Sequence, residues 1–467
     1  MPSATPPPTF RDPAGFLSLT PDHAVRTIHG AARDSVMSFL SSPLRQRLEQ
    51  RGEMVSTVIA DDSDGDSLKL RHPRIPVITY PWEWTQGQWM AAGELTLGLC
   101  EEALEQGWIL KDATPLNILF TGTGPVLVDV LSFEKHVPGN SIWLAYGQYV
   151  RTFLLPMLMN RLQHWPLALT LFRRDGYEPA ELYDALSWPQ RLSPAAFFPI
   201  TLPSWLERRS SGASAKSAVA PAKEPALAHH LLRRTLKGLR RRTRNAPVKQ
   251  VRSEWSDYTA TLTHYTEQES QEKVSFVRET LETLKPARVL DIGANTGEFS
   301  ALAASVGASV VALERDEAAA ERLFQRARAQ QLDILAIHAD LARPTPAVGW
   351  ENSESSSLLA RLEGQFDLVL MLAVVHHLLL MEQIPLDAIM ELLGRLTRRY
   401  LLLEWVPASD PMFQSLMRGR DELYGSLCED DLVRACQGRF TLLQRQSLPN
   451  GRVLLLLEKQ QPGTSAA

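Results

Sequence analysis

Cysteine is nearly absent from this chain. Cys100, Cys428 and Cys436 are the three in 467 residues. That is too few for a disulfide framework, and their spacing matches no metal-binding pattern. Neither sign of charge dominates: 49 Lys and Arg stand against 53 Asp and Glu, a formal net charge of −4. No whole-molecule attraction to nucleic acid or to an anionic membrane follows. Long apolar runs are also missing. None approaches the ~20 residues that cross a bilayer, and the clusters Leu154 to Met159 and Val453 to Leu457 read as buried helix and strand. The start, Met1-Pro2-Ser3-Ala4-Thr5-Pro6-Pro7-Pro8, has neither a basic stretch nor an apolar one, so it does not read as a secretory signal. A cytoplasmic location is the expectation. No internal repeat is visible.

What is present is ordinary globular composition, 44% hydrophobic and 22% charged, in a chain long enough to split into two or three domains. Residues 1–10 and 461–467 read as disordered tails. Residues 11–205 mix strand and helix signals and hold most of the eleven tryptophans. A Ser-, Ala- and Pro-rich linker and a basic segment follow, at 206–252; so little bulk cannot form a core. Residues 253–460 form the last domain.

In that last region strands alternate with helices, which implies a parallel, doubly wound α/β sheet. The expected strands are Val289 to Ile292, Ala308 to Leu313, Ile334 to Ala339, Phe366 to Met371 and Tyr400 to Glu404. Expected helices are Glu272 to Leu284, Glu317 to Gln331 and Pro385 to Arg399. Two further strands flank Pro449-Asn450-Gly451, the mark of an antiparallel final hairpin. Trp350 to Glu363, rich in Ser and Glu, reads as a surface insertion.

The stretch Val289-Leu290-Asp291-Ile292-Gly293-Ala294-Asn295-Thr296-Gly297 is a strand entering a glycine-bounded turn before a helix. A dinucleotide fingerprint would place three glycines there, because pyrophosphate sits on bare backbone amides. Here the middle position is Asn295, the non-glycine type that best tolerates a left-handed backbone. An acid stands two residues before the first glycine. It would repel a diphosphate and suits a ligand with a cationic head. Glu314 follows Gly293 by 21 residues, the distance at which an acid reaches ribose hydroxyls from the second strand. Asp340 ends the third strand, and Leu372-Ala373-Val374-Val375-His376-His377-Leu378 follows the fourth.

These blocks, in this order, resemble class I S-adenosylmethionine-dependent methyltransferases. The resemblance implies S-adenosylmethionine as cofactor. It implies that Asp291, Gly293, Asn295, Gly297 and Glu314 hold it, and that Asp340 accepts from its adenine amino group. It also places Tyr258 and Tyr265, ahead of the motif, in a lid over the cofactor, with Lys273 nearby; an aromatic stripe in the core is the other reading. The candidate catalytic residues are His376 and His377, as general base or as packing and cap, and Glu404. Trp405-Val406-Pro407 and Asp410-Pro411-Met412 either line an acceptor pocket or form a proline turn.

In the N-terminal half, Lys111-Asp112, Asn117, a short hairpin and Val128-Asp129 resemble the catalytic and metal-binding loops of protein-kinase-like phosphotransferases. The departures are specific. Leu110-Lys111 replaces His-Arg, Val130-Leu131-Ser132 follows Asp129 in place of Phe-Gly, and no Gly-rich loop precedes. The resemblance covers residues 80 to 180 and implies an α+β domain with a degenerate kinase-like C-lobe. The layout is similar to a prokaryotic group that fuses such a region to a class I methyltransferase. Trp82, Trp84, Trp89 and Trp108 form either an aromatic binding surface or core.

The basic segment, Leu231 to Arg244, reads as a solvated helix in preference to an RNA- or lipid-binding one; no base-stacking aromatics interleave it. The expected function is methyl transfer to a small molecule or a biosynthetic intermediate, with no metal. The alternatives are an RNA methyltransferase using the basic segment and a catalytically inactive cofactor-binding scaffold.

Overall fold

The computed structural model describes residues 12–60, 67–210, 224–247, 267–417 and 419–460. Both expected tails lie outside the described residues, as do most of the linker, Tyr258 and Tyr265. The chain divides into two compact units. One is Met1–Gln250 with Val348–Ser355; the other is Val251–Ala347 with Ser356–Ala467.

The N-terminal unit opens with an antiparallel sheet in the order β1 (Gly15–Leu19), β2 (His23–His29), β4 (Ser67–Pro73), β3 (Val58–Ile59). Leu68, Leu70 and His72 of β4 are buried in strict alternation with outward residues, the period a one-faced strand requires. The central helix, Gln86–Leu104, starts on a reciprocal cap. Thr85 Oγ1 accepts from the Gln88 amide, and Gln88 Oε1 accepts from the Thr85 amide. This satisfies two of the donors a helix start leaves open. Two small antiparallel two-stranded sheets follow: β5 (Trp108–Leu110) with β8 (Phe133–Lys135), and between them in sequence the hairpin of β6 (Ile118–Thr121) with β7 (Gly124–Leu127). Trp82, Trp84, Trp89 and Trp108 are all buried, so the tryptophans are core.

The basic segment forms helix Pro225–Arg244, which packs on Gln86–Leu104. Ala228, Leu232, Leu236, Leu239 and Thr243 are its buried stripe, and Tyr149 Oη meets Thr243 Oγ1 at 2.9 Å. Its arginines reach acids on the helix beneath: Arg233 to Glu105 at 3.4 Å, Arg240 to Glu101 at 3.2 Å, and Arg244 to Glu94. The basic helix is thus built into the N-terminal unit. The expected linker start is also too early, because helix Leu202–Ser210 runs through Arg208 and Arg209.

The C-terminal unit is a seven-stranded α/β sheet. Its order is β11 (Ile334–His338), β10 (Ser309–Glu314), β9 (Arg288–Ile292), β12 (Phe366–Met371), β13 (Thr397–Trp405), β15 (Val453–Lys459), β14 (Phe440–Ser447). β9 to β13 pair in parallel, while β15 runs antiparallel to both β13 and β14. The parallel strands are apolar almost throughout, as a sheet covered on both faces demands. Several boundaries differ from expectation: the helix expected from Glu272 starts at Glu267, and the strand expected from Tyr400 starts at Thr397. The helix expected to reach Arg399 ends at Leu396, because Thr397 already pairs with Phe366 in the sheet. The expected insertion is also only partly one: Leu358 and Leu362 are buried. Among the described residues no helix is long and apolar enough to cross a membrane.

Candidate active site

β9 delivers Asp291 to the carboxyl edge of the sheet, and the chain then bends through residues 293–297 into helix Glu298–Ser305. Three of these five residues are left-handed: Gly293 at φ +72°, Asn295 at +49° and Gly297 at +80°. Gly293 and Ala294 both donate to the Leu313 carbonyl, at 2.8 and 3.1 Å, which pins the bend to β10. A Cβ on Gly293 would lie 2.5 Å from Val374 Cγ2, and one on Gly297 2.9 Å from Leu323 Cγ. Both positions therefore need glycine for space as well as for φ.

Two carboxylates are held at the bend. Asp291 is buried and accepts from Ser300 Oγ at 2.6 Å. Burial, reinforced by the nearby Glu314 charge, pushes its pKa up to about 6, against the pull of the Ser300 hydrogen bond and of Lys273. Glu314 ends β10. It accepts from the Asn295 amide through Oε2 and from the Asp316 amide through Oε1, both at 2.8 Å. Burial raises its pKa as well. Asn295 Oδ1 is buried with no partner among the described residues.

These groups face a cavity of about 230 Å³ lined from the ends of β9, β10, β11 and β12. That is the place where open α/β sheets put ligands. Asp291, Gly293, Asn295, Glu314, Asp340, His376 and His377 all line it. Asp340 accepts from the Ala342 amide at 2.8 Å and pairs with Arg343 at 3.2 Å. Gly297 is not on the wall; it turns the chain into the helix behind it.

His376 and His377 sit in the short helix Val375–Leu380 after β12. It is reached through Ala373, a non-glycine residue at φ +56°. Such strain persists where the surroundings enforce it, most often at functional sites. His376 is 3% exposed, and its Nδ1 has no partner among the described residues. Burial, then the neighbouring His377, Arg452 and Lys273, pushes its pKa down to about 2. His377, whose Nδ1 lies 3.4 Å from Met381 Sδ, falls to about 4, again chiefly through burial.

Glu404 does not line the cavity. It is fully buried behind the wall, with Lys273 Nζ at 2.6 Å and Arg452 Nη1 at 3.3 Å. Arg452 Nε also pairs with Asp410 Oδ2 at 2.9 Å. Two cations and two carboxylates thus form one buried neutral chain, and the cations Lys273 and Arg452 line the cavity together with Met412. Arg452 was not found from the sequence. It follows a hairpin turn, and nothing in its neighbours announces a role; the antiparallel order of the last strands carries it to the site.

In the N-terminal unit, Asp112, Asn117 and Asp129 are brought together at the β6–β7 hairpin. Asn117 Nδ2 donates to Ser132 Oγ at 3.0 Å, and that hydroxyl donates to Asp129 Oδ2 at 2.8 Å. Asp112 lies close enough to feel Asp129, though burial is the larger cause of its raised pKa. Arg26 of β2 reaches Asp129 Oδ1 at 3.2 Å.

A cationic sulfur nucleoside fits this donor set: carboxylates in place of a bare-amide cradle, a bend whose glycines leave no room for a Cβ against Val374 and Leu323, and an orphan amide oxygen on that bend. The profile of the methyltransferase domain family matches residues 262–426. The chain is an S-adenosylmethionine-dependent methyltransferase, and the matched segment falls largely within its C-terminal unit. It is 27% identical, over 97% of its own length and 96% of the relative's, to the nodulation protein NoeA of Rhizobium meliloti (strain 1021). Among solved structures it is similar to the magnesium protoporphyrin IX methyltransferase ChlM of Synechocystis PCC 6803 with bound SAH. That match has 20% identity over 48% of this chain and 95% of the other, with a TM-score of 0.31. It is also similar to the N-methyltransferase NodS of Bradyrhizobium japonicum WM9, with 15% identity over 42% of this chain and 98% of the other and a TM-score of 0.32.

Proposed function

We propose that the methyl group passes to a nucleophile on a small molecule or biosynthetic intermediate, held where His376, Lys273 and Arg452 meet the cofactor cavity. The observation that carries this reading is the buried His376 ring, with an unpartnered nitrogen on the cavity wall. In this reading Asp291 faces the cofactor's ammonium, Glu314 its ribose and Asp340 its adenine, while Gly293, Asn295 and Gly297 shape the bend. Tyr258 and Tyr265, outside the described residues, are assigned to the cofactor by the resemblance alone. When bound, the cofactor supplies a methyl carbon on a sulfonium, already a good leaving group.

The protein then has to orient the acceptor and exclude water. A group with pKa near 2 is a poor base at neutral pH, so His376 acts as a neutral hydrogen-bond acceptor. It fixes the acceptor's N–H or O–H and turns a lone pair toward the methyl carbon. The bound cofactor would supply the methyl group and its sulfur would keep the bonding electron pair, while His376 would hold the acceptor's hydrogen bond without taking its proton, which would pass to solvent. Glu404 serves indirectly, by holding Lys273 and Arg452 in place.

The test is incubation with methyl-labelled cofactor and cell extract, followed by identification of the product. A small labelled product is expected. Its formation should fall about 10- to 100-fold in His376→Ala, with cofactor affinity nearly unchanged. Label carried by RNA would overturn the reading. The pairing of Arg233, Arg240 and Arg244 with acids of their own unit already weighs against the RNA alternative.

For the N-terminal unit we infer a kinase-like remnant that does not transfer phosphate. The support is Arg26, whose guanidinium lies against Asp129, the residue aligned by resemblance with a metal-holding acid. A cytoplasmic location completes the reading, supported by three free thiols.

A further inference from the structure

We propose that a recess in the N-terminal unit binds a monomeric anionic amphiphile, an acyl chain ending in a carboxylate or phosphate. The recess lies where the last turns of helices Leu155–Gln163 and Pro225–Arg244 converge. Its volume is about 450 Å³, within the range of about 300–1,000 Å³ usual for small-molecule sites.

Its lining has two characters. Leu154 and Leu158 are buried and apolar, and Phe198 stands half exposed beside them. Arg161, Arg241 and Arg242 supply the only charges, since no Asp or Glu is on the wall among the described residues. Arg161 donates to the Asn245 carbonyl, which ties the two helix ends together. The Arg242 guanidinium lies 5.1 Å from the centre of the Phe198 ring.

The same helix shows why these cations matter. Arg233, Arg240 and Arg244 are neutralised by Glu105, Glu101 and Glu94. Arg241 and Arg242 meet no carboxylate among the described residues, and they face the recess. Uncompensated guanidinium groups over an apolar floor are complementary to an anionic head on an apolar tail. Concavity selects a single chain over a bilayer, because docking on a membrane needs apolar side chains that project outward.

The test is calorimetry on the full chain with sub-micellar decanoate, decyl phosphate, decanol and decyltrimethylammonium. Binding of decanoate or decyl phosphate is expected, and the stronger of the two identifies the head group. Decanol should bind at least about tenfold more weakly and the ammonium compound not measurably. The double variant Arg241→Ala, Arg242→Ala should lose about tenfold or more in affinity for the anionic probe. Ala195→Trp, which fills the recess and keeps the cations, should abolish binding. The thermal unfolding transition of the N-terminal unit should persist in both variants and serves as the folding control. Equal affinity for decanol and decanoate, or unchanged binding in both variants, overturns the proposal. So does binding to phosphatidylglycerol vesicles without binding to either soluble anion, which would assign the surface to a membrane.

Discussion

Asp291 ties stability to pH, and in the proposed reading it ties the same carboxyl to ligand binding. Its ordinary pKa of 3.8 rises to about 6, chiefly through burial. For the cofactor-free chain the sign is unfavourable at neutral pH. The stabilising contribution is complete below about pH 4 and is lost as pH rises through about 6. In the proposed reading cofactor binding runs the other way, because a cationic ammonium pairs only with the ionised carboxylate. Affinity for S-adenosylhomocysteine should therefore increase between about pH 5 and pH 7, by up to tenfold per unit below the pKa. In Asp291→Asn the profile should be flat and the binding weaker. Titration at several pH values decides this, and a flat profile in the unaltered chain would refute the role. The residues around Asp291 were legible in the sequence, because φ requirements and strand-end position leave a local trace. Lys273, Arg452 and their link to Glu404 were not read as one site. They lie on separate elements and meet only across the folded sheet.

At the scale of elements, the packing of two helices turns on Gly93. A Cβ there would lie 2.7 Å from Tyr149 Oη and 3.2 Å from Thr243 Cγ2, so the basic helix can approach Gln86–Leu104 only over a bare backbone. Gly93→Leu should destabilise the N-terminal unit by about 1–3 kcal/mol through overpacking. Arg240→Ala should cost no more than about 1 kcal/mol, since its pair with Glu101 is partly exposed. Urea denaturation separates the two, and the reverse ranking would mean that charge, not packing, holds the helix. The sequence announced this helix through its periodicity and basic residues. It did not announce the acids that receive them, which lie more than a hundred residues earlier. The end of the helix before β13 was misjudged for a related reason. Gly394 stands inside the helix, before its last two residues, and does not mark its end; strand pairing of Thr397 sets the boundary.

For the molecule as a whole, two compact units with separate cores imply two unfolding events. Calorimetry should resolve two transitions, and the cofactor should raise only one of them. At a hundredfold excess over its dissociation constant, that shift corresponds to about 2.7 kcal/mol. Cofactor-induced displacement of both transitions together would contradict the assignment of the cofactor cavity to the C-terminal unit alone.

The order of strands and helices in the C-terminal unit, the bend after β9 and the acids at three strand ends were determined by the sequence alone. Each depends on neighbours close along the chain: a periodicity, a φ that favours glycine or asparagine, a residue at the end of an apolar run. The buried chain from Lys273 through Glu404 and Arg452 to Asp410 was decided by tertiary structure. So was the choice of which arginines on the basic helix are neutralised and which face an open recess. Those outcomes depend on distances between elements far apart in sequence, and charge type at a position says nothing of the partner that folding brings beside it.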